Sequence, residues 1–255
     1  MTNIIIQGIA GRMGRAVYEL IGQREDCRVA AGVDRVDPGL PVPAAPRLEE
    51  LAVRGDVLID FSSPEATRAA LRYCQGALLP CVICTTGLTE ADQALVLEAA
   101  KTIPVFQSAN MSLGINLLAE LAQKAARLLG PGYDVEIIEK HHHNKLDAPS
   151  GTALMLLDAL QQAADAPYDP VVYGRHAAKQ KRAAREIGVH AVRGGSIVGE
   201  HEVLFCGPDE VVTLSHSAGS RSVFANGAVN AALFLANSTN KVPGLYSMKD
   251  LVKSL

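Results

Sequence analysis

Residues 3–21 read NIIIQGIAGRMGRAVYELI. A short aliphatic run over Asn3–Gln7 has the look of a strand, and Met13, Val17, Leu20 and Ile21 recur at helical spacing. Between them lies a glycine-rich turn with Gly8, Ala10, Gly11 and Gly14. Strand, turn without side chains and helix is the arrangement in which backbone N–H groups at a helix start reach a pyrophosphate. A lone glycine pattern also fits an ordinary tight turn, and Ala10 stands where the common pattern has its second glycine. Asp34, 20 residues after Gly14 and at the end of the next apolar run, tips the balance toward a dinucleotide, because an acidic group there accepts hydrogen bonds from ribose hydroxyls. Arg35 follows directly, either as a surface arginine or as a partner for the 2′-phosphate of NADP.

Working outward, Arg28–Asp34, Asp56–Phe61, Leu79–Cys84 and Ile103–Gln107 are further apolar runs, and helical segments alternate with them. Ser63, Pro64 and Glu65 open one helix, and Thr89 with Asp92 has capping-box spacing for the next. Pro38, Pro41, Pro43 and Pro46 punctuate a segment read as an irregular surface excursion. Continuously apolar strands alternating with helices predict a parallel sheet covered on both faces. A long helix pattern then runs to Leu129 and stops at Gly130 and Pro131. From Tyr133 the pattern changes to half-polar alternating strands, with one helix over residues 150–163 among them. Ser222 onward is again helical, with small residues, and is expected to dock on the first domain. The predicted fold class is therefore α/β. Residues 1–112 plus 222–255 are expected to form a Rossmann-type dinucleotide-binding domain, and 113–221 an inserted α+β domain.

Of 255 residues, 48% are hydrophobic and 20% charged, and the formal net charge is −3, which suits a folded globular chain and gives no general attraction to nucleic acid or anionic lipid. The basic run Arg175, Lys179, Lys181, Arg182 and Arg185 has no aromatic interleaving and reads as a solvated, mobile loop rather than a nucleic-acid arm. No stretch approaches the roughly 18 apolar residues of a membrane span, and the start has no basic leader region, so the chain is expected in the cytoplasm. The 5 cysteines are scattered through apolar segments and read as reduced core thiols, Cys81 and Cys84 included, since a strand turns the two to opposite sides.

The second informative stretch is EKHHHNKLDAPSGTA, residues 139–153. If residues 141–145 are extended, His141, His143 and Lys145 share one face, and His142 and Asn144 the other. Three adjacent histidines cannot all ligate one ion from a strand, and no partner set with zinc spacing occurs elsewhere, so no metal is expected. Proton transfer fits better, because an imidazole titrates near neutrality and a lysine supplies positive charge or a proton. Downstream, Ser150, Gly151 and Thr152 open a helix whose unpaired N–H groups would receive an anion, a carboxylate being the natural guest.

These motifs together resemble a known family. GIAGRMG at 8–14, IDFSSPEAT at 59–67, TTG at 85–87, SANMSLGIN at 108–116, the HHxxKxDAPSGTA block at 141–153, IVGEHEV at 197–203 and FANGAV at 224–229 are similar to those of 4-hydroxy-tetrahydrodipicolinate reductases, also called dihydrodipicolinate reductases, in order and over essentially the whole chain. The resemblance implies an NADH- or NADPH-dependent reduction of (2S,4S)-4-hydroxy-tetrahydrodipicolinate, with loss of water, to tetrahydrodipicolinate on the diaminopimelate route to lysine. It also implies a homotetramer formed through the inserted domain. Carried over by position, His141 and Lys145 are the proton-handling residues, and His142, Gly151 and Thr152 bind the cyclic dicarboxylate. Gly8, Ile9, Ala10, Gly11, Arg12 and Met13 match the pyrophosphate loop, Asp34 and Arg35 the adenosine end, and Cys84, Thr85, Thr86, Ser108, Ala109, Asn110 and Met111 the segments near the nicotinamide. Two other readings share the first domain: a different nicotinamide-dependent dehydrogenase of a small carboxylic acid, and a non-catalytic NADH-sensing module.

Overall fold

The structure is a computed structural model that describes residues 1–108, 110–163, 167–176, 179–237 and 242–254. It divides into two compact units, 1–112 with 221–255, and 113–220.

The first unit begins with β1 (Thr2–Gln7), α1 (Arg12–Ile21), β2 (Cys27–Val33) and the two-residue β3 (Ala44–Ala45). There follow β4 (Val57–Asp60), α2 (Pro64–Ala77), β5 (Cys81–Ile83), α3 (Glu90–Ala99) and β6 (Pro104–Gln107). α4 (Leu113–Leu129), β7 (Asp134–His141), α5 (Gly151–Ala163), β8 (Val171–Tyr173), β9 (Ile187–Arg193), β10 (Glu200–Cys206) and β11 (Val211–Ser217) make the second unit. The chain then returns to the first with α6 (Ser222–Ala236), β12 (Gly244–Tyr246) and α7 (Met248–Ser254).

In the first unit seven strands form one parallel sheet in the order β12-β6-β5-β4-β1-β2-β3. Ile5, Leu58, Cys81, Ile83 and Val105 bury one face against Ala70, Leu71 and Cys74 of α2 and Val96 and Ala99 of α3. α1 and α6 pack on each other, and α6 lies along β4 and β5, so both faces are covered. Burial of each Ile or Leu contributes about 1.5–3 kcal/mol, which explains why these strands read as unbroken apolar runs. The helix starts follow the sequence: Ser63 Oγ accepts from Ala66 N, and Thr89 with Asp92 completes a reciprocal capping box. The proline-punctuated segment departs from the expected irregular loop. It carries β3, held by Gly32 N to Pro43 O and Asp34 N to Ala45 O; a proline costs little there because β3 is an edge strand. β12 escaped the pattern because three residues are too short to show a period.

The second unit has a mixed five-stranded sheet ordered β11-β10-β7-β9-β8, with β7 antiparallel to β10 and parallel to β9. Val135, Ile137, Ile187, Val189, Val203 and Phe205 bury one face against α4 and α5. The basic run is not uniformly solvated. Arg182 is paired with Glu136 and Asp134 and donates to Val135 O, and Arg175 is paired with the buried Glu186, because the start of the central strand β7 and the residue before β9 offer carboxylates and a carbonyl that need donors.

Gly227 sits inside α6, where an added Cβ would lie 1.6 Å from the Met111 carbonyl oxygen. Close packing, not capping, therefore explains the glycine in FANGAV. Gly227→Ala is expected to destabilise the protein by about 2–4 kcal/mol. Gly76→Ala in α2, where a Cβ meets open space, is expected to be neutral or stabilising by about 0.5 kcal/mol. Urea denaturation of the two variants checks the pair.

Candidate active site

The first unit gathers its polar residues at the carboxyl ends of the parallel strands, where ligands of such sheets bind. Gly8 takes φ +80°, and a Cβ there would stand 2.4 Å from Phe61 O, so the turn after β1 is closed by backbone alone. Gly8 N donates to Val33 O at 2.8 Å and Gly11 N to Gly8 O at 3.0 Å. α1 starts from Gly11 with no side-chain cap and no acidic residue in its first turn. Its leading N–H groups thus keep their capacity for an anion, which is what a pyrophosphate needs. A cleft of about 700 Å³ opens beside the turn, lined by Gly8, Gly11, Asp34, Arg35, Arg47 and Ser62 among others. Asp34 Oδ2 accepts from Ala10 N at 3.0 Å and Oδ1 from Val36 N at 3.3 Å, so this carboxylate also shapes the turn it was expected to serve.

Asp60, at the end of β4, is fully buried. It accepts from Ser62 N at 3.1 Å, Thr67 Oγ1 at 2.5 Å, Thr85 Oγ1 at 3.1 Å and Gln7 Nε2 at 3.4 Å, and also from Ser62 Oγ. One carboxylate thereby ties the ends of β1 and β4, the start of α2 and the segment after β5. Burial raises its pKa, against the pull of those hydrogen bonds. Burial likewise raises the Cys84 thiol, with the Asp60 charge adding to the effect, so Cys84 stays protonated.

In the second unit the buried row of β7 runs Val135, Ile137, Glu139, His141. Alternation puts all four on the helix-covered face, and the row changes from apolar to titratable at its end. Glu139 is completely buried, yet every acceptor site on it is used. Oε1 receives Ser150 N at 3.0 Å and Arg193 Nη2 at 2.7 Å; Oε2 receives Arg193 Nη1 at 2.8 Å and pairs with His141 Nδ1 at 2.6 Å. Burial alone would raise Glu139, but these donors outweigh it and hold it below the usual carboxylate range. A carboxylate cannot donate, so Nδ1 of His141 carries the proton and Nε2 holds the lone pair. Burial sets the His141 pKa below the ordinary imidazole value, against the opposing pull of Glu139.

The cross-strand row continues from Glu139 to His201 on β10. His201 meets His141 edge-on, with ring centroids 5.2 Å apart, and its Nε2 is 3.0 Å from Ser150 Oγ. Burial presses its pKa down to about 4, so it adds no charge at neutral pH. Ser150 Oγ also accepts from Ala153 N at 3.1 Å, capping α5. Gly151 is exposed, and no atom comes within 4 Å of where its Cβ would be, so the helix start beside Thr152 is open to a ligand.

β7 ends at His141, so the expected alternation through residue 145 does not hold. The pairing with β9 runs out at Arg193; His143 N then bonds Gly195 O at 3.3 Å, and Lys145 N turns back to His142 O at 3.1 Å. The turn nevertheless keeps Lys145 near enough for its charge to oppose protonation of His141. Lys145 Nζ is 2.9 Å from Asp147 Oδ1, and Arg193 Nη2 pins the same loop through Asp147 O at 2.6 Å. His142 is half-buried, with Nδ1 sealed from solvent and lacking a hydrogen-bond partner among the described residues. His143 is exposed.

Of the sequence-derived residues, His141, Lys145, Gly151 and Thr152 fall within the second unit, as does His142. Gly8, Gly11, Asp34 and Arg35 line the cleft, whereas Ile9 is buried in the core, Arg12 is exposed and Met13 is half-buried. Cys84, Thr85 and Thr86 follow β5, and Ser108, Asn110 and Met111 follow β6, outside that lining; Ala109 lies outside the described residues. Sequence reasoning passed over Glu139, Arg193, His201 and Asp60. Glu139 and His201 were detectable as acidic and imidazole groups standing in phase with buried apolar residues. Among the described residues no cluster of three or more His, Cys, Asp or Glu side chains is arranged to hold a metal ion.

Comparison with known proteins identifies the family. Residues 2–111 match the family description "Dihydrodipicolinate reductase, N-terminus" and residues 114–252 "Dihydrodipicolinate reductase, C-terminus". The 4-hydroxy-tetrahydrodipicolinate reductase of Caldanaerobacter subterraneus subsp. tengcongensis is 49% identical over 253 residues, covering 99% of each chain. That of Clostridium botulinum is 44% identical, covering 99% of this chain and 98% of the relative. Among solved structures, the dipicolinate-bound dihydrodipicolinate reductase of Paenisporosarcina sp. TG-14 superposes with a TM-score of 0.79 at 26% identity, covering 97% of each chain. With both parts of the family matched in chain order and full-length relatives bearing its name, the chain belongs to the dihydrodipicolinate reductase family.

Proposed function

We propose that this reductase acts through a division of labour between its two units. The first holds NADH or NADPH; the second seats the cyclic dicarboxylate and handles protons. The observation that carries the reading is the meeting, in one unit, of a neutral His141 oriented by Glu139, a cationic Lys145 and the open start of α5. When bound, the reduced nicotinamide supplies the hydride. The N–H groups of Gly151 and Thr152 donate to one substrate carboxylate, and His142, whose sealed Nδ1 has no partner among the described residues, supplies a further contact. Lys145 Nζ gives a proton to the ring as negative charge develops, while Nε2 of His141 takes up or returns a proton with Glu139 stabilising the imidazolium. The net change is one hydride and one proton added and one water lost, from 4-hydroxy-tetrahydrodipicolinate to tetrahydrodipicolinate. Dipicolinate, bound by the Paenisporosarcina relative, is the flat dicarboxylate expected to occupy the same seat here.

On the cofactor side, Gly8–Met13 would carry the pyrophosphate, Asp34 and Arg35 the adenosine end, and Cys84–Thr86 with Ser108–Met111 the nicotinamide. Among the described residues no helix is long and apolar enough to cross a membrane. A homotetramer assembled through the second unit, as the family resemblance implies, completes the reading.

Coupled to the synthase that makes the hydroxylated substrate, the purified protein is expected to oxidise NADH or NADPH only when that product is present; no oxidation with either cofactor overturns the assignment. Lys145→Ala and His141→Gln are expected to lower kcat by about 100-fold or more while both stay folded, with unfolding ΔG from urea denaturation within about 1 kcal/mol of wild type for K145A and lowered by about 1–3 kcal/mol for H141Q, which loses a donor to the buried Glu139. Turnover at the wild-type rate removes either residue from the mechanism. Arg35→Ala is expected to raise the KM for NADPH by about tenfold and leave that for NADH unchanged, since only the former brings a 2′-phosphate. Equal effects on both cofactors would remove Arg35 from phosphate recognition.

A further inference from the structure

We propose that Nε2 of His141 is the working nitrogen because the buried Glu139 claims Nδ1, and that residue 199 is glycine so that Nε2 remains uncovered. This rests on the reading of His141 as the proton-handling group and adds two positioning residues to it.

Glu139 is wholly buried and its four acceptor sites meet four donors: Ser150 N, two guanidinium nitrogens of Arg193, and His141 Nδ1. Such a carboxylate has no freedom to rotate away, so the ring it holds is fixed in plane and tautomer. Rotating the imidazole by half a turn would leave a buried carboxylate oxygen with one donor fewer, at a cost of about 1–3 kcal/mol. The opposite edge of the ring faces β10's entry. An ideal Cβ on Gly199 would stand 3.1 Å from Nε2 and 3.4 Å from Cδ2. Gly199 does not need its glycine for backbone conformation, because its φ lies outside the left-handed region. Its missing side chain therefore serves the space over Nε2. IVGEHEV places this glycine two residues before His201, whose ring meets His141 edge-on and closes another approach. The charged and titratable groups around His141 are Glu139 on its own strand, Arg193 on β9, His201 on β10, and Lys145 with its partner Asp147 on the loop that follows.

The test compares Glu139→Gln, Gly199→Ala and His141→Gln in the full-length enzyme, reading kcat, both KM values and the pH profile of kcat/KM. The limb of the profile that disappears in H141Q is the His141 limb. Glu139→Gln keeps the volume and removes the charge, so imidazolium loses its nearest anion and that limb moves to lower pH by about one unit or more. Gly199→Ala breaks no hydrogen bond, and is expected to lower kcat at least tenfold while the KM for the nicotinamide cofactor stays within twofold. A merely structural role for either residue would lower the yield or the unfolding midpoint and leave the limb and the KM-to-kcat split in place. Wild-type kcat in G199A, or an unmoved limb in E139Q, overturns the inference while an inactive H141Q leaves the proposed function standing. Full activity of H141Q removes His141 from the proposed mechanism, and with it the premise on which this inference rests. If E139Q fails to fold, G199A alone decides, since wild-type turnover there shows that Nε2 needs no clearance.

Discussion

A carboxylate removed entirely from water is tolerated only when its lone pairs are met, because the cost of desolvating the charge is several kcal/mol. Glu139 meets that condition with donors from three places: the end of its own strand, β9, and the residue that caps α5. Each donor is a constraint on the fold. The parallel register that sets His141 opposite Arg193, and the closing of the loop that brings Ser150 back eleven residues later, must both be right before the charge is paired. The loop bearing Lys145 is drawn in by the same guanidinium through Asp147 O. The local arrangement of the proposed proton-handling group, its cationic neighbour and the helix that would seat an anion thus follows from satisfying one buried charge.

The first unit uses the same device on different chemistry. Asp60 is also fully buried and also ties several segments together, but its donors are mainly hydroxyls and a backbone N–H, with no guanidinium. Without a cationic partner its pKa rises, whereas that of Glu139 falls. The difference suits the tasks proposed for the two units. The neutral-donor cluster shapes loops around a cofactor whose own charge lies at the helix start, while the ionised Glu139 is poised to stabilise a positive imidazolium.

Most of the architecture was legible because burial on both faces forces apolar runs such as Val57–Ile59, and helix starts such as Ser63-Pro64 announce themselves through the hydrogen bonds they make. β3 and β12 were not legible: two or three residues hold no period, and both depend on a neighbouring strand for their existence. The chemistry of residues 141–153 could be read as a set of groups, but its geometry could not. Sequence spacing extended the strand through Lys145, whereas the strand stops where β9 does. Arg193 lies 54 residues from Glu139 and has no local signal at all; only the pairing of β7 with β9 brings them together. Asp34, just after β2, was legible as an acidic acceptor for ribose hydroxyls, but not as an acceptor for Ala10 N of the glycine-rich turn.

The central claim is that a buried, ionised Glu139 fixes His141 as the Nδ1-protonated neutral ring. Histidine-¹⁵N-labelled protein, with the His141 signals assigned by their loss in H141Q, reports this directly through long-range ¹⁵N–¹H correlation at neutral pH. The account predicts a protonated Nδ1 and a pyridine-like Nε2. A proton on Nε2 with a bare Nδ1 would contradict it.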